Sequence, residues 1–449
     1  MNCKYCNQEI NEEHKFCPFC GKNLVEEENI LTVDLVSENA EEEPAKKKKW
    51  PIIAAIAGAV IALSALAVIL MVALGVDFKW LLPRGNDIHY KDAYTVSDEK
   101  VAEKADTVIA TINGKELTNI QLQIYYRMQV MDFVNYYGDY ASYMGLDMSK
   151  PLSEQTCKYD ETMTWEQYFL DIALKTWHNY QTMALMAEEA GHVLGDDWKE
   201  SLEKLPDDLK KQAEEGKYES VDALLEDVIG PGCDQENYME YVSLLYMSND
   251  YYGKEYERLT PSQEEIEKYF ADNEETFKEQ NITKESGLNA DVRHILIAPE
   301  GGTKDETTGI TTYSEAEWAA ALKEAEKILK EWKDGEASEE SFAALVKNNT
   351  DDPGSAETGG LYEDIYKNSG MVAEFEAWCI DTARKEGDTG IVKTEYGYHI
   401  MYFVSGEPYW SYCAKNNLLS DLTSKMIEEA QAKWPMSVDY KKIALASVI

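Results

Sequence analysis

The chain has 449 residues, 84 acidic and 43 basic side chains and a net charge of −41. This length exceeds that of one ordinary domain, so two or three domains are expected. The strong negative charge argues against binding to nucleic acid or to anionic lipid headgroups. A nucleotide-binding function finds no support either, because the sequence contains no phosphate-binding Gly-Lys-Ser/Thr loop.

Residues 1–24 contain two Cys-x-x-Cys pairs with ten residues between them. Four thiolates at this spacing converge on one tetrahedral Zn²⁺, and so small a segment has no other core. The pattern resembles the short zinc ribbons at the start of many bacterial membrane proteins. We predict a structural zinc site with no catalytic role, since every coordination position is filled. Its predicted ligands are Cys3, Cys6, Cys17 and Cys20.

Residues 51–76 contain no charged side chain and follow a linker, residues 25–50, that is first acidic and then basic. At a rise of about 1.5 Å per residue, this run spans about 39 Å as a helix, which is enough to cross a bilayer. The basic flank, Lys46 to Lys49, predicts that the N-terminus is cytoplasmic and that everything after Val76 is extracytoplasmic. The protein would then contact membrane lipid through this single helix. The ribbon would have a cytoplasmic partner that the sequence does not identify.

Beyond a second linker, residues 77–105, we predict a mainly α-helical domain over residues 106–285. A strand at residues 107–112 ends at an Asn-Gly turn. Helix starts are predicted at the capping boxes of Thr118 and Thr164, and at Thr260, where Pro261 would occupy the first helical position. This order resembles the N-terminal region of PrsA-type foldases and SurA-type chaperones. The resemblance implies that residues 409–449 return to complete the helical domain.

The helical region is rich in tyrosines, which offer apolar area with a polar tip and are suited to gripping unfolded chains. Packing in the core or over its rim remains the alternative for each of them. Those near its start are Tyr125, Tyr126, Tyr136, Tyr137, Tyr140 and Tyr143.

Residues 286–408 carry the motifs that indicate a reaction. A strand-like run contains His294, and a closing Gly-Tyr-His run contains His399. Between them lie an Asp-Pro-Gly-Ser run beginning at Asp352, a Gly-Gly-Leu run and a Met-x-x-x-Phe run. A helix is predicted from Ser314, and a short helix follows it. The apolar stripe of the first helix is predicted to be Trp318, Leu322, Ala325, Leu329 and Trp332.

This order resembles the parvulin family of peptidyl-prolyl isomerases, whose domain is a small α+β fold. The resemblance implies an apolar cup for a proline ring, with the paired histidines beneath it and a carboxylate beside the substrate carbonyl. No covalent step and no catalytic cofactor are expected. The residues implied for catalysis are His294, Asp352, Thr394 and His399, and those implied for substrate binding are Leu361, Met371 and Phe375.

The chain departs from the family pattern at one wall of the cup. Many parvulins read Gly-Gly-Asp-Leu-Gly where this chain has Gly359-Gly360-Leu361-Tyr362. The loop over residues 298–313 is also long and rich in glycine and threonine. The sequence has no cluster of Arg or Lys near the cup. It therefore does not indicate selectivity for phosphorylated substrates.

Taken together, the sequence predicts a multidomain protein: a zinc ribbon, one transmembrane helix, a mainly α chaperone domain and an inserted α+β parvulin domain. The predicted function is that of a membrane-anchored extracytoplasmic foldase that isomerises X-Pro bonds in unfolded or newly secreted polypeptides. A non-catalytic holdase and a membrane sensor linked to the zinc ribbon are the alternatives. Four further cysteines are predicted to lie outside the membrane, and their pairing stays open: Cys157, Cys233, Cys379 and Cys413.

Overall fold

The computed structural model describes residues 93–304 and 311–448. The predicted zinc ribbon and the predicted transmembrane segment lie outside these residues. Within the described ranges, no helix combines the length and the apolar character needed to cross a bilayer.

The first part of the described chain is mainly helical. Local capping signals set where its long helices begin: Thr118 and Thr164 each accept a hydrogen bond from the backbone three residues on, and the glutamine there bonds back. The elements are α1 (Asp98–Glu103), β1 (Val108–Ile112), β2 (Lys115–Thr118), α2 (Asn119–Tyr137), α3 (Trp165–Glu189), α4 (Asp196–Gly216), α5 (Val221–Val228), α6 (Gln235–Leu259), α7 (Gln263–Asp272) and α8 (Glu274–Glu279).

The predicted helix start at Thr260 is wrong by two residues. Thr260 ends α6, and the side chain of Ser262 caps α7 instead, in a capping box with Glu265. Pro261 therefore precedes the cap and does not occupy the first helical position. Both candidates have a Glu or Gln three residues on, Gln263 for Thr260 and Glu265 for Ser262, and the structure forms the capping box of Ser262.

The last part of the chain returns to the helical region. After the long helix α12 (Tyr409–Lys433), β9 (Ser437–Val438) pairs antiparallel with β1, Ala110 opposite Val438. The sheet order is β2-β1-β9. A large core cluster around Trp165, Phe169 and Tyr238 joins α2, α3 and α6, and it also includes Trp434 from the end of the chain. The α+β module is thus inserted between two segments of one helical unit.

The inserted module is built on a four-stranded antiparallel sheet. Its elements are β3 (Leu288–Ile297), β4 (Thr303–Lys304), β5 (Thr311–Thr312), α9 (Glu315–Asp334), α10 (Glu339–Asn349), β6 (Leu361–Ile365), α11 (Ala373–Cys379), β7 (Thr389–Lys393) and β8 (Tyr398–Pro408). The order of the sheet is β6-β3-β8-β7. One face packs against α9 and α10 around Ile295 and Ile400, and the other packs against α11 around Val292 and Met401.

The apolar stripe predicted for α9 is displaced on the helix. The buried residues are Ala321, Ala325, Ile328 and Trp332, so only two of the five predicted positions are buried. Trp318 lies at the edge of the module instead, where its ring meets Tyr398 and the ammonium group of Lys393. A large aromatic ring that packs at the rim of a domain gives the same sequence pattern as one that packs in its core.

The four cysteines of the described region are free thiols. Cys157, Cys233 and Cys379 are buried, and Cys413 is half-buried.

Candidate active site

The register of the two central strands brings the two histidines together. In the β3–β8 pair, His294 lies opposite Met401 and Leu296 lies opposite His399. Because side chains alternate along a strand, both imidazoles project from one face of the sheet. Both rings are buried, with 2% of His294 and 6% of His399 exposed. Their Nδ1 atoms are 3.1 Å apart.

The hydrogen bonds form one continuous chain through both rings. His294 Nε2 lies 3.0 Å from an oxygen of Asp352, and His399 Nε2 lies 2.8 Å from the hydroxyl of Thr394. An ionised carboxylate only accepts, so His294 donates from Nε2 and accepts at Nδ1. His399 then donates from Nδ1 and accepts at Nε2 from the Thr394 hydroxyl. One tautomer of each ring therefore satisfies every ring nitrogen.

Asp352 is held by several donors. One oxygen accepts from the hydroxyls of Ser355 at 2.6 Å and Tyr362 at 3.2 Å, in addition to His294. The other oxygen accepts from the backbone N–H of Gly354 at 3.1 Å. Burial disfavours ionisation of this carboxyl, but the bonds from Ser355, Gly354 and His294 outweigh it and lower the pKa of Asp352. The carboxylate is thus a fixed negative charge.

Both imidazoles are neutral at physiological pH. Burial lowers the pKa of His294, and the neighbouring Asp352 opposes this only in part. Burial and the adjacent His294 lower the pKa of His399 to about 4. Neutral rings match the hydrogen-bond chain, since a protonated ring has no acceptor nitrogen for its neighbour.

The β7–β8 hairpin sets the position of Thr394. Its backbone N–H donates to the carbonyl of Gly397 at 2.9 Å, and its hydroxyl accepts from the N–H of Tyr396 at 3.2 Å. Gly397 has φ +154, and a Cβ there would lie 2.4 Å from the carbonyl oxygen of Ile297. Glycine therefore permits the tight turn that presents Thr394 to His399.

An apolar wall stands beside the imidazoles. The ring of Phe375 packs edge-on against both His294 and His399, at centroid distances of 5.3 and 5.2 Å. Met371 and Tyr362 pack against the same buried cluster, and the Tyr362 ring lies 5.2 Å from His294. Aromatic and thioether groups of this kind suit a proline ring.

The structure does not bring Leu361 into this wall. In the β3–β6 pair Leu361 lies opposite Arg293, whereas Tyr362 lies opposite Val292. Since Val292 and His294 share one face, Tyr362 faces the histidines and Leu361 faces away from them. In the family pattern Gly-Gly-Asp-Leu-Gly, leucine is the second residue after the two glycines. Here Tyr362 occupies that position, so Tyr362 and not Leu361 faces the site.

Gly360 permits the close approach of β6 to β3. Its φ is +75, and a Cβ there would lie 2.3 Å from the carbonyl oxygen of His294. Its own carbonyl accepts the N–H of His294 at 2.9 Å. The second glycine of the motif therefore fixes the backbone from which His294 projects.

Sequence reasoning missed two members of the network, Ser355 and Tyr362. The Asp-Pro-Gly-Ser run gave a signal for Ser355: the Asp352 carboxylate accepts the backbone N–H of Gly354, two residues on, as in an Asx turn, and Ser355 is the next residue. Tyr362 gave no local signal, since its contact with Asp352 depends on the strand register.

Comparison with known proteins agrees with this geometry. The family described as "Rotamase: PPIC-type PPIASE domain" matches residues 294–405, which begin at the first histidine and end after the second. These residues are a PPIC-type peptidyl-prolyl isomerase domain. The chain is a parvulin-type peptidyl-prolyl cis-trans isomerase.

Two curated relatives share sequence with the chain. It is similar to Foldase protein PrsA 4 of Bacillus cereus, with 29% identity over 203 residues, which cover 44% of this chain and 71% of the relative. It is also similar to Foldase protein PrsA 3 of Bacillus anthracis, with 31% identity over 116 residues, which cover 25% of this chain and 40% of the relative.

Solved structures of similar proteins include PrsA from Bacillus subtilis and a SurA-like chaperone of Campylobacter jejuni. The B. subtilis protein has 20% identity and a TM-score of 0.26, and the match covers 60% of this chain and 87% of that protein's chain. The C. jejuni protein has 19% identity and a TM-score of 0.20, and the match covers 73% of this chain and 96% of that protein's chain.

Proposed function

We propose that the chain is an extracytoplasmic foldase that isomerises X-Pro bonds in unfolded or newly secreted polypeptides. The observation that supports this most is the uninterrupted chain of hydrogen bonds from Thr394 through His399 and His294 to Asp352, beside the wall of Met371 and Phe375. The Bacillus relatives named as foldases support the same assignment.

The chemistry follows from the substrate. Rotation about a peptide bond breaks amide resonance, which sets a barrier of about 18–20 kcal/mol. The planar amide carries partial negative charge on its oxygen, and the twisted form carries less. A fixed carboxylate beside the carbonyl, the role we assign to Asp352, therefore disfavours the planar state more than the twisted one. Such differential stabilisation accelerates rotation without a nucleophile or a cofactor.

Each remaining residue has a distinct role in this proposal. Met371, Phe375 and Tyr362 hold the proline ring through apolar contact. His294 and His399 act as positioning residues, because each is neutral and fully hydrogen-bonded. Asp352 fixes the tautomer of His294 and, through it, that of His399, and the Thr394 hydroxyl completes the chain by donating to His399 Nε2.

A second activity, holding of unfolded segments, is favoured by an exposed aromatic surface. The tyrosine patch comprises Tyr136, Tyr140, Tyr143 and Tyr159, whose side chains lie 82%, 51%, 60% and 41% exposed. The rings of Tyr140 and Tyr143 stack at 5.6 Å. Adjacent exposed aromatic rings mark interaction surfaces and bind apolar segments without sequence preference.

The location of these activities depends on the N-terminal segment. We propose that residues 51–76 anchor the protein in the membrane, with the zinc ribbon of residues 1–24 in the cytoplasm. The sequence pattern is the support for this topology.

The experiment that tests the function follows a refolding reaction limited by proline isomerisation, in the presence of the full-length chain. We expect the slow phase to accelerate in proportion to enzyme concentration. Asp352→Ala and His399→Ala should remove the acceleration and leave suppression of aggregation unchanged. An unaccelerated slow phase with aggregation still suppressed would favour the holdase alternative.

A further inference from the structure

A small pocket in the helical region lies apart from the histidine network. It forms where β2, α2, α3 and α6 meet, and its volume is about 180 Å³. Small-molecule pockets usually measure about 300–1,000 Å³. The volume therefore suits a single long side chain better than a cofactor or metabolite.

The pocket walls combine aromatic rings with a buried hydroxyl that has no partner. Tyr125, Trp177, Gln181 and Tyr241 line the pocket, and each is at least nine-tenths buried. The Tyr125 hydroxyl makes no hydrogen bond to any described residue. Buried polar groups are normally paired, so this hydroxyl points to an absent ligand.

The mouth of the pocket is acidic. Glu116 and Glu240 are exposed on its lining, and Glu240 accepts a hydrogen bond from Gln121 at 2.6 Å. In the described part of the chain no lysine or arginine pairs with either carboxylate. Lys115, next to Glu116, instead pairs with Glu188 at 3.4 Å. The mouth thus attracts a cation and repels an acidic side chain.

A further carboxylate adds to the negative potential. Burial raises the pKa of Asp132 to about 6, and among the described residues no basic group offsets this rise. Asp132 lies near Tyr180 and Tyr241, where it adds to the rise that burial causes in the pKa of both hydroxyls. A cation in the adjacent pocket would relieve this unbalanced charge.

We propose that this pocket binds an arginine side chain of an extended client polypeptide. A guanidinium is planar, stacks on aromatic faces and carries five donors in a fixed geometry. Those donors match the hydroxyls of Tyr125 and Tyr241, the amide oxygen of Gln181 and the carboxylate of Glu240. An aliphatic side chain would leave the Tyr125 hydroxyl unpaired and the negative charge of Glu240 without a cation. The inference rests on the proposed function, because the client is the polypeptide that the enzyme isomerises.

The test uses the full-length chain and a fluorescent, proline-free Ser/Gly peptide with one arginine. A second peptide carries citrulline at that position, which keeps the shape and removes the charge. We expect the arginine peptide to bind about tenfold more tightly by fluorescence anisotropy at about 0.15 M salt. Equal affinities would overturn the proposal.

Two pairs of variants locate the site. Tyr125→Phe and Glu240→Gln should bring the affinity ratio close to one. Their matched controls are Tyr238→Phe, which removes another buried hydroxyl without a partner, and Glu236→Gln, which removes a charge one turn away on α6. The controls should keep the ratio. A ratio that survives both pocket variants, or that collapses equally in the controls, would also overturn the proposal.

Isomerase activity measured on the same samples separates the two proposals. The pocket variants should accelerate proline exchange as the wild type does. A wild type that isomerises but shows no arginine preference refutes only the pocket. A wild type that does not isomerise refutes the proposed function, whatever the affinity ratio.

Discussion

The Nδ1 atoms of His294 and His399 lie 3.1 Å apart, although the two histidines are 105 positions apart in the chain. Two nitrogens at this distance share one proton, so the tautomer of one ring dictates that of the other. The carboxylate of Asp352 can only accept, so it fixes the direction of donation along the hydrogen-bond chain. The hydroxyl of Thr394 completes the chain at the other end.

The neutral state of these rings predicts how stability depends on pH. An unfolded histidine has a pKa of 6.5, and that of folded His399 is about 4. Between these values the unfolded chain binds the proton and the folded chain does not. The free energy of unfolding should therefore be highest above about pH 6.5 and fall towards pH 4, by on the order of 3 kcal/mol for this residue.

Urea unfolding at a series of pH values measures this loss, and His399→Asn should make the dependence shallower because asparagine does not titrate. Nitrogen-15 NMR of the rings gives a direct check. At pH 5.5 we expect His399 to be neutral with its proton on Nδ1. A doubly protonated His399 at that pH would contradict the predicted chain of donors.

Tyr362→Phe tests the residue that sequence reasoning missed. It removes one of the donors to the Asp352 carboxylate and keeps the aromatic wall. A hydrogen bond to a charged group contributes about 1.5–3 kcal/mol, so we expect the pKa of Asp352 to rise and kcat/KM to fall by about tenfold. Tyr366→Phe is the control, since the Tyr366 ring stacks on Tyr409. Equal kcat/KM in the two variants would exclude a role for the Tyr362 hydroxyl.

Gly360→Ala tests the close approach of β6 to β3. The added Cβ would lie 2.3 Å from the His294 carbonyl oxygen. Gly370→Ala is a matched control, because Gly370 also has a positive φ, +93, but has open space around it. Both variants lose stability because alanine is disfavoured in the left-handed backbone conformation. We expect Gly360→Ala to lower the free energy of unfolding by about 2 kcal/mol more than Gly370→Ala, measured by chemical denaturation. Equal losses would show that the strands separate without cost.

The tyrosine patch predicts an activity separate from isomerisation. Replacing Tyr136, Tyr140 and Tyr143 together by serine should reduce suppression of client aggregation, measured by light scattering. The free energy of unfolding should change by less than about 0.5 kcal/mol per site, because these side chains are exposed. Replacement by phenylalanine keeps the aromatic area and should keep the activity. Unchanged suppression in the serine variant would assign client binding to another surface.

Local signals in the sequence were sufficient to predict the long helices. The capping boxes at Thr118, Thr164 and Ser314 begin helices where the pattern placed them, because a cap needs only four consecutive residues. Even so, the cap of α7 at Ser262 was misplaced, since two competing Ser/Thr residues lie within three positions.

The strand register could not be predicted from the sequence. The histidine pair followed from family motifs, but the wall beside it depends on Leu361 lying opposite Arg293 and Tyr362 opposite Val292. A bulge between Ala290 and Val292 shifts this pairing, and its position has no signature in either strand. Which of two neighbouring residues faces the site is therefore a tertiary property.

The central claim is that a fixed carboxylate beside an apolar wall accelerates rotation about X-Pro bonds. Exchange NMR on a proline peptide with the full-length chain measures this most directly. We predict exchange well above the uncatalysed rate, whose time constant is tens to hundreds of seconds. Asp352→Asn should lower this rate by about tenfold or more, and Asp351→Asn should leave it unchanged. An uncatalysed rate at every enzyme concentration, or equal rates in the two variants, would contradict the claim.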